Sequence, residues 1–507
     1  MTVTEHSSQG FDALRSLLDA PADSLPAVLR SIDAELRVPP AAGGRAAATE
    51  LGRAAIPALA AATKDTPADR LPALVLLLGL LADSDAHDQV RAELGPVLAL
   101  FDRPGADRRL VAALLFLAGL FPEDGAQVLA AADALVLSPD DRSRLERSLA
   151  ERPDTPVLAR VWPSPAMWAV TDEEHDNDHK RWGGRMPDEQ VIAMWDGDTR
   201  ALRDYSGAKA VALLDSPAAD YRPERDFTAA DPGGADATGS ALAAVELLAP
   251  FEKLLICPDC AGRLALGPDG ARCEGCETLH PATGDWLDLS SAAGLGMDAL
   301  ILNDVAQVLR YERGLRPGFL RVMGRDFDDR LTVEDEIRFL TERMRSVDGP
   351  TLDLAAGTGR FTHVLSELLG PERLVALDLS TSMLSVLQAT AAKLPAVRAS
   401  AVNLPFADAS LAAVTCWNAL QTLPSKDQVI AEVGRVLRPG GTFVLFTFVP
   451  DEDRLYREFQ ARQEQALRVR LHPREELVGW LEAAGLTVTE THGRGYLFLS
   501  AVCEALA

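Results

Sequence analysis

Thr351-Leu-Asp-Leu-Ala-Ala-Gly-Thr-Gly-Arg-Phe361 decides the fold of the C-terminal part of the chain. An apolar run ends in a turn containing Gly357 and Gly359, then continues with Phe361, Val364, Leu365 and Leu368 at helical spacing. This predicts strand, tight turn and helix, with two glycines that let a ligand approach the backbone closely. A dinucleotide fingerprint would place a third glycine at position 362, where Thr362 stands, so the turn lacks a pyrophosphate cradle and a nicotinamide cofactor is a poor match. The next apolar run, Arg373-Leu-Val-Ala-Leu-Asp378, ends in an acid nineteen residues after Gly359. There a carboxylate can accept both ribose hydroxyls of a nucleoside. Further on, Ser425 and Gln428 predict a capping box for a helix carrying Ile430, Val433 and Leu437, stopped by Pro439-Gly440-Gly441. A strand over 442–448, a helix ending at Gly485 and two strands around Val488 and Leu497 follow. The alternation predicts an α/β, Rossmann-like, doubly wound parallel sheet with its ligand at the carboxyl ends of the first strands.

The pieces LDLAAGTGRF, VALDLSTSML, NLPFADASL, CWNALQTL and EVGRVLRPGG occur in this order. With them, residues from about 349 to 502 resemble a class I S-adenosylmethionine-dependent methyltransferase of the broad ubiquinone/menaquinone-biosynthesis-like branch. The resemblance implies that Asp353, Ala355, Gly357 and Gly359 line the methionine end of S-adenosylmethionine and that Asp378 holds its ribose. It also implies that Ser380 and Met383 flank the ribose and adenine and that Asn418 lies near the sulfonium. Two positions depart from the family pattern. The first glycine of the loop is Ala355, and the aspartate expected four residues before Leu404-Pro-Phe is Ser400, which leaves adenine recognition to backbone groups. The stretch Tyr311-Glu-Arg-Gly-Leu-Arg-Pro317 resembles the lead helix that caps the cofactor in zinc-ribbon relatives, which adds Tyr311 to the implied set.

Methyl transfer from a sulfonium is an in-line displacement, for which the protein mostly supplies positioning. His472, His492 and Tyr496 lie in the terminal region that covers the acceptor pocket of such enzymes. They are the candidates for taking a proton from a hydroxyl acceptor, with surface or packing roles as the plainer alternative for each. Trp417, beside Asn418, forms either an aromatic wall of that pocket or part of the core. The leading expectation is a small-molecule acceptor. The alternatives are an RNA, peptide or protein acceptor docked through the N-terminal regions, or a cofactor-binding protein without catalysis.

Cys257-Pro-Asp-Cys260 and Cys273-Glu-Gly-Cys276 predict a zinc ribbon over 251–290, since each pair supplies two thiolates from one turn to a tetrahedral metal. Four thiolates complete the coordination, so the Zn2+ is expected to be structural, with His280 beside it rather than on it. Leu254-Leu-Ile256 and Trp286-Leu-Asp-Leu289 are the expected flanking strands. Cys416 and Cys503 are isolated, and packing is the default for both.

The chain has 507 residues, 47% of them hydrophobic and 25% charged, enough for several domains with cores. Its 75 acidic against 50 basic residues give a net charge of -25, the wrong sign for extended nucleic-acid binding. The start has no basic segment followed by an apolar one, and no apolar run reaches the roughly 18 residues of a membrane span. A soluble cytoplasmic protein is the expectation. Residues 1–160 are Ala/Leu-rich with helical spacing, and two apolar segments from Leu71 and Leu110 recur about forty residues apart. They predict either a HEAT-like helical stack offering a docking face for a protein or peptide, or a helical bundle without a true repeat. Residues 161–250 are read as an irregular region with Trp162, Trp168, Trp182 and Trp195, passing into a linker. Within it His175 and His179 would share a metal-suited face if helical, though a solvated acidic loop is the simpler reading. Residues 291–348 are read as the helical lead segment, and 349–507 as the catalytic domain.

Overall fold

Thr351–Leu354 is buried at every position, as a parallel strand covered on both faces must be. It lies inside an eleven-stranded sheet built from β1 (Leu264–Gly267), β2 (Gly270–Cys273), β3 (Leu279–Thr283), β4 (Trp286–Asp288), β5 (Thr351–Leu354), β6 (Leu374–Asp378), β7 (Ala396–Arg398), β8 (Leu411–Trp417), β9 (Leu437–Phe448), β10 (Leu486–His492) and β11 (Tyr496–Cys503). The computed structural model describes residues 12, 15–21, 23–40, 44–152, 188–224, 241–283, 285–290, 308, 312, 316–390, 394–467 and 469–504. His175, His179, Trp162, Trp168, Trp182 and Tyr311 therefore lie outside the described residues. The chain forms two units. One takes Asp226–Arg316, Leu331–Pro450 and Val469–Ala507, and the other takes Met1–Arg225, Pro317–Arg330 and Asp451–Arg468.

In the first unit the strand order is β10-β11-β9-β8-β5-β6-β7-β4-β3-β2-β1. Strands β9, β8, β5, β6 and β7 are parallel. The closing hairpin is antiparallel, β11 on β9 and β10 on β11, so the sheet is mixed rather than wholly parallel. From β5 the chain adds β6 and β7 on one side and later β8 on the other. The reversal makes the carboxyl end of β5 a topological switch point, where open α/β sheets bind ligands. Helices α1 (Val333–Met344), α2 (Arg360–Leu369), α3 (Thr381–Thr390), α4 (Lys426–Val436) and α5 (Arg474–Ala483) belong to the same unit, as does the helix Ala241–Leu248 before the ribbon.

The cysteine ribbon continues this sheet. Strand β4 pairs in parallel with β7 through Leu287 opposite Val397 and Asp288 opposite Arg398, and β3, β2 and β1 follow antiparallel. Three local expectations are corrected. Residues 254–256 form no strand: a 3-10 turn over Ala249–Leu254 leads into single bridges of Leu255 to Phe406 and Ile256 to Arg263. Ser425 sits at φ 39 with no side-chain cap, so the capping box does not form. The helix ends at Val436, before Pro439, and β9 already starts at Leu437 with a shifted register against β8 up to Thr442.

The second unit is helical, and its forty-residue recurrence appears as helices Leu71–Ala82 and Arg108–Ala118. Among the described residues a HEAT-like stack does not appear. Repeats of a solenoid touch only their neighbours, whereas Leu71–Ala82 is buried on every side and both helices pack against a 27-residue helix, Asp188–Leu214. That long helix occupies much of the region read as irregular. Its Trp195 is buried under the Arg147 guanidinium, 3.4 Å from the ring centroid. Glycine lowers helix propensity, which hid the helix, but Gly207 is there for space. An added Cβ would press on the Phe459 ring and lie 2.9 Å from Phe116. Among the described residues no single helix is long and apolar enough to cross a membrane.

Gly207→Ala is expected to destabilise the helical unit by about 1–3 kcal/mol through overpacking, although helix propensity alone favours alanine by about 1 kcal/mol. Urea denaturation followed by far-UV circular dichroism measures the sign directly. A stabilised variant would show that Phe459 does not pack where it is placed.

Candidate cofactor and metal sites

After β5 the backbone turns through three left-handed residues, Ala355 at φ 55, Gly357 at φ 59 and Gly359 at φ 88. The two glycines serve different ends. A Cβ on Gly359 would lie 2.8 Å from Leu387 of α3, so this position is required for packing at the start of α2. A Cβ on Gly357 would meet nothing within 4 Å, so this backbone borders open space where a ligand can approach. Ala355 holds its φ without glycine's freedom, at a cost of about 1 kcal/mol.

The turn is fixed from both neighbouring strands. The Gly357 amide donates to Asp378 Oδ2 at 2.9 Å and the Ser380 amide to Asp378 Oδ1 at 2.8 Å. Burial pushes the Asp378 carboxyl above its ordinary range, against the opposing pull of the Ser380, Gly357 and Leu379 amides. Ser380 Oγ in turn accepts from the Met383 amide at 3.1 Å, which starts α3 with Met383 buried. Asp353 lies deeper. Its Oδ1 accepts from Thr415 Oγ1 at 2.8 Å and its Oδ2 from Thr362 Oγ1 at 2.5 Å, and burial raises its pKa to about 6. Its carboxylate therefore ties β5, α2 and β8 together beneath the turn. The sequence reading noticed Thr362 only as a missing glycine and passed over Thr415.

Glu312 also escaped the sequence reading, although it stands next to Tyr311. Its Oε1 accepts from Thr358 Oγ1 at 3.0 Å and its Oε2 from Arg360 Nε at 2.5 Å, both at the glycine turn. Close by, buried Arg316 donates to buried Glu336 of α1, whose Oε2 accepts from Trp417 Nε1 at 2.8 Å. Asn418, buried at φ 54, follows Trp417 at the carboxyl end of β8, and its Oδ1 accepts from Gln421 Nε2 at 3.2 Å. Ser400, half-buried after β7, accepts on Oγ from the Val402 amide at 3.4 Å.

Trp417 belongs to an aromatic group, its centroid 5.1 Å from Phe361, 5.5 Å from Phe446 and 5.9 Å from Phe498. His492 joins it, 4.9 Å from Phe498 and 5.1 Å from Phe339, and so does Tyr496, 5.7 Å from Phe498. Burial lowers the His492 pKa. His472 is elsewhere. Its Nδ1 is 2.9 Å from Glu476 Oε2 and its ring packs on Trp480, both on α5.

Cys257, Cys260, Cys273 and Cys276 bring their sulfurs within 4.8 Å of one another. The Cys257–Cys276 and Cys260–Cys273 separations of 3.7 and 3.4 Å approach the edge of about 3.8 Å that a tetrahedron of Zn–S bonds of about 2.3 Å requires. The Gly275 and Cys276 amides donate to Cys273 Sγ at 3.3 and 3.4 Å, and a Cβ on Gly262 would crowd Cys273 Sγ at 2.9 Å. Four thiolates with amide donors fit a zinc ion. His280, buried, stands with Nε2 3.3 Å from Cys257 Sγ, beside the four sulfurs.

Two measurements check these sites. Because Asp353 titrates higher folded than its ordinary 3.8, the folded state binds the extra proton between about pH 4 and 6, and stability falls as pH rises through that window. Wild type should lose about 1–3 kcal/mol there relative to Asp353→Asn in denaturation at a series of pH values; parallel curves would contradict the raised pKa. Elemental analysis should find one zinc per chain, lost in Cys260→Ala, and retention of stoichiometric metal in that variant would contradict a four-thiolate site.

Residues 352–445 match the family model described as "Methyltransferase domain". An uncharacterized chloroplastic methyltransferase from Arabidopsis thaliana is 29% identical over 258 residues, 45% of this chain and 68% of that protein. The ubiquinone/menaquinone biosynthesis C-methyltransferase of Saccharophagus degradans is 30% identical over 179 residues, 28% of this chain and 68% of that protein. Among solved structures, geranyl diphosphate C-methyltransferase from Streptomyces coelicolor aligns at 14% identity and TM-score 0.30, covering 34% of this chain and 78% of that one. The glycine turn, the acid ending the second strand and a relative matched over two-thirds of its length agree, and the chain belongs to the class I S-adenosylmethionine-dependent methyltransferases.

Proposed function

We propose that this chain methylates a small, ring-bearing molecule held beside Asn418 at the carboxyl ends of β8 and β9. The observation that carries the reading is the aromatic group of Trp417, Phe446, Phe498, His492 and Tyr496, gathered where β8 ends and the β10–β11 hairpin closes. Trp417, Phe446 and Phe498 are buried and form the floor, while exposed His492 and half-buried Tyr496 offer ring faces suited to a flat apolar acceptor. A chain with a net charge of -25 suits a phosphate-rich one poorly. The relative from Saccharophagus degradans, a C-methyltransferase by name, supports an acceptor of this size.

When bound, S-adenosylmethionine supplies the electrophilic methyl carbon and a neutral thioether leaving group. The chain's own residues position it. Asp378 offers carboxylate oxygens to the ribose hydroxyls beside the open face of Gly357, and the buried Asp353 with its two threonines keeps that turn rigid. Asn418 sets the near wall, so that the acceptor meets the carbon in line. His492 takes the acceptor's proton: its lowered pKa keeps the imidazole neutral at pH 7, with Nδ1 3.7 Å from Glu490 Oε1 to favour the imidazolium once formed. Tyr496 borders the same hairpin, whereas His472, held on α5 by Glu476 and Trp480, is left to packing.

The test is transfer of labelled methyl from S-adenosylmethionine to a panel of phenols and hydroquinones, with RNA and peptide fractions alongside. Label is expected on the small aromatic acceptors. His492→Gln should lower kcat about 100-fold, with KM for S-adenosylmethionine changed less than about twofold. Label entering RNA or peptide alone, or an unaffected His492→Gln enzyme, would overturn the proposal.

A further inference from the structure

We propose that the cysteine ribbon positions the cofactor, acting through Asn403 on the loop that borders the adenine. The inference rests on the reading of the ribose end at Asp378, because the loop leaves β7 beside that residue: the Ala399 amide donates to the Asp378 carbonyl at 3.2 Å. A nucleoside whose ribose is held at the end of β6, at the carboxyl edge of the sheet, has β7 and the residues after it as its neighbours on the side away from β5. There the side chain on offer is Ser400, whose hydroxyl accepts from the Val402 amide, and the backbone from 399 to 404 forms the rest of the wall.

What fixes that backbone is the ribbon. Asn403 Nδ2 donates to the Pro258 carbonyl at 2.9 Å, and Pro258 lies between Cys257 and Cys260, so the metal-binding turn sets the direction of the acceptor. The Ile256 amide donates to the Pro405 carbonyl at 3.1 Å, the Ala407 amide to the Leu254 carbonyl at 2.8 Å and the Leu289 amide to the Arg398 carbonyl at 2.8 Å. Arg398 Nη1 donates to Asp288 Oδ2 at 2.9 Å. From the other side Arg435 donates to the Leu404 and Phe406 carbonyls at 2.9 and 2.7 Å, while Glu432 accepts from the Leu404 amide at 2.7 Å. The loop is thus clamped between α4 and the ribbon. The helix clamp is made of ordinary side chains, whereas the ribbon clamp depends on four thiolates staying together. Metal and cofactor sites are thereby coupled, and by linkage each must favour the other equally.

The experiment titrates S-adenosylhomocysteine calorimetrically into the full zinc-loaded chain. Wild-type binding is the first arm, and its absence would reject the cofactor reading itself rather than the coupling. In the second arm Asn403→Ala, shown by elemental analysis to retain its zinc, is expected to raise Kd about fivefold, the order of one neutral hydrogen bond. In the third, S-adenosylhomocysteine is expected to slow transfer of zinc from the wild-type protein to a chromogenic chelator, and less so in Asn403→Ala. A merely structural ribbon would move thermal stability but neither of these. Unchanged Kd in the zinc-retaining variant, or zinc release indifferent to S-adenosylhomocysteine, would overturn the proposal.

Discussion

The carboxylate of Asp378 holds together the two amides on which the binding crevice depends, that of Gly357 in the first turn and that of Ser380 in the second. One side chain at the end of β6 thereby aligns the turn after β5 with the start of α3. With about four acceptor positions on a carboxylate, the Gly357 and Ser380 bonds and the weaker pull of the Leu379 amide still leave room for a ribose hydroxyl. The same bonds that shape the protein present the group proposed to take the ribose. Under this surface, Asp353 repeats the device with threonine hydroxyls in place of amides, fully inside the protein. Its raised pKa records the cost of keeping a carboxyl there, and fixing the geometry of the turn is the gain.

The sheet carries this geometry outward in both directions. Toward β8 and β9 it reaches the aromatic group around Trp417, anchored at the indole nitrogen by Glu336. Toward β7 it runs without a break into β4 and the cysteine ribbon. A ribbon attached by a flexible tether would serve as a docking module. One hydrogen-bonded into the sheet shares its rigidity, and in the proposed reading that rigidity defines the adenine side despite the departure at Ser400.

Much of this was legible in the sequence where local rules and tertiary structure agree. The glycine turn, Asp378, the closing strands and the paired CxxC turns each announce themselves within a dozen residues, because each is dictated by backbone geometry or by ligand chemistry. What escaped was decided by distant partners. Gly207 looks like a helix breaker until Phe459 is placed against it. Ser425 and Gln428 match a capping box by spacing, yet Ser425 lies in a left-handed conformation, at φ 39, and makes no side-chain cap. Leu254-Leu-Ile256 has the composition of a strand but finds only single bridges, to Phe406 and Arg263, in place of a ladder. The forty-residue recurrence in the N-terminal region reflects two central helices of one core, since periodic apolar helices suit a bundle as well as a solenoid. Thr362, Thr415 and Glu312 carried no signal because their importance lies in what they bond.

The central claim is that the oxygens of Asp378 hold the nucleoside of S-adenosylmethionine beside Gly357. Calorimetric titration of wild type and Asp378→Ala with S-adenosylhomocysteine and, separately, with NADH tests it most directly. The account predicts wild-type binding of S-adenosylhomocysteine alone, weakened about 100-fold or more in the variant, the order of two hydrogen bonds to a charged acceptor. Equal affinity in the two proteins, or saturable binding of NADH in its place, would contradict it.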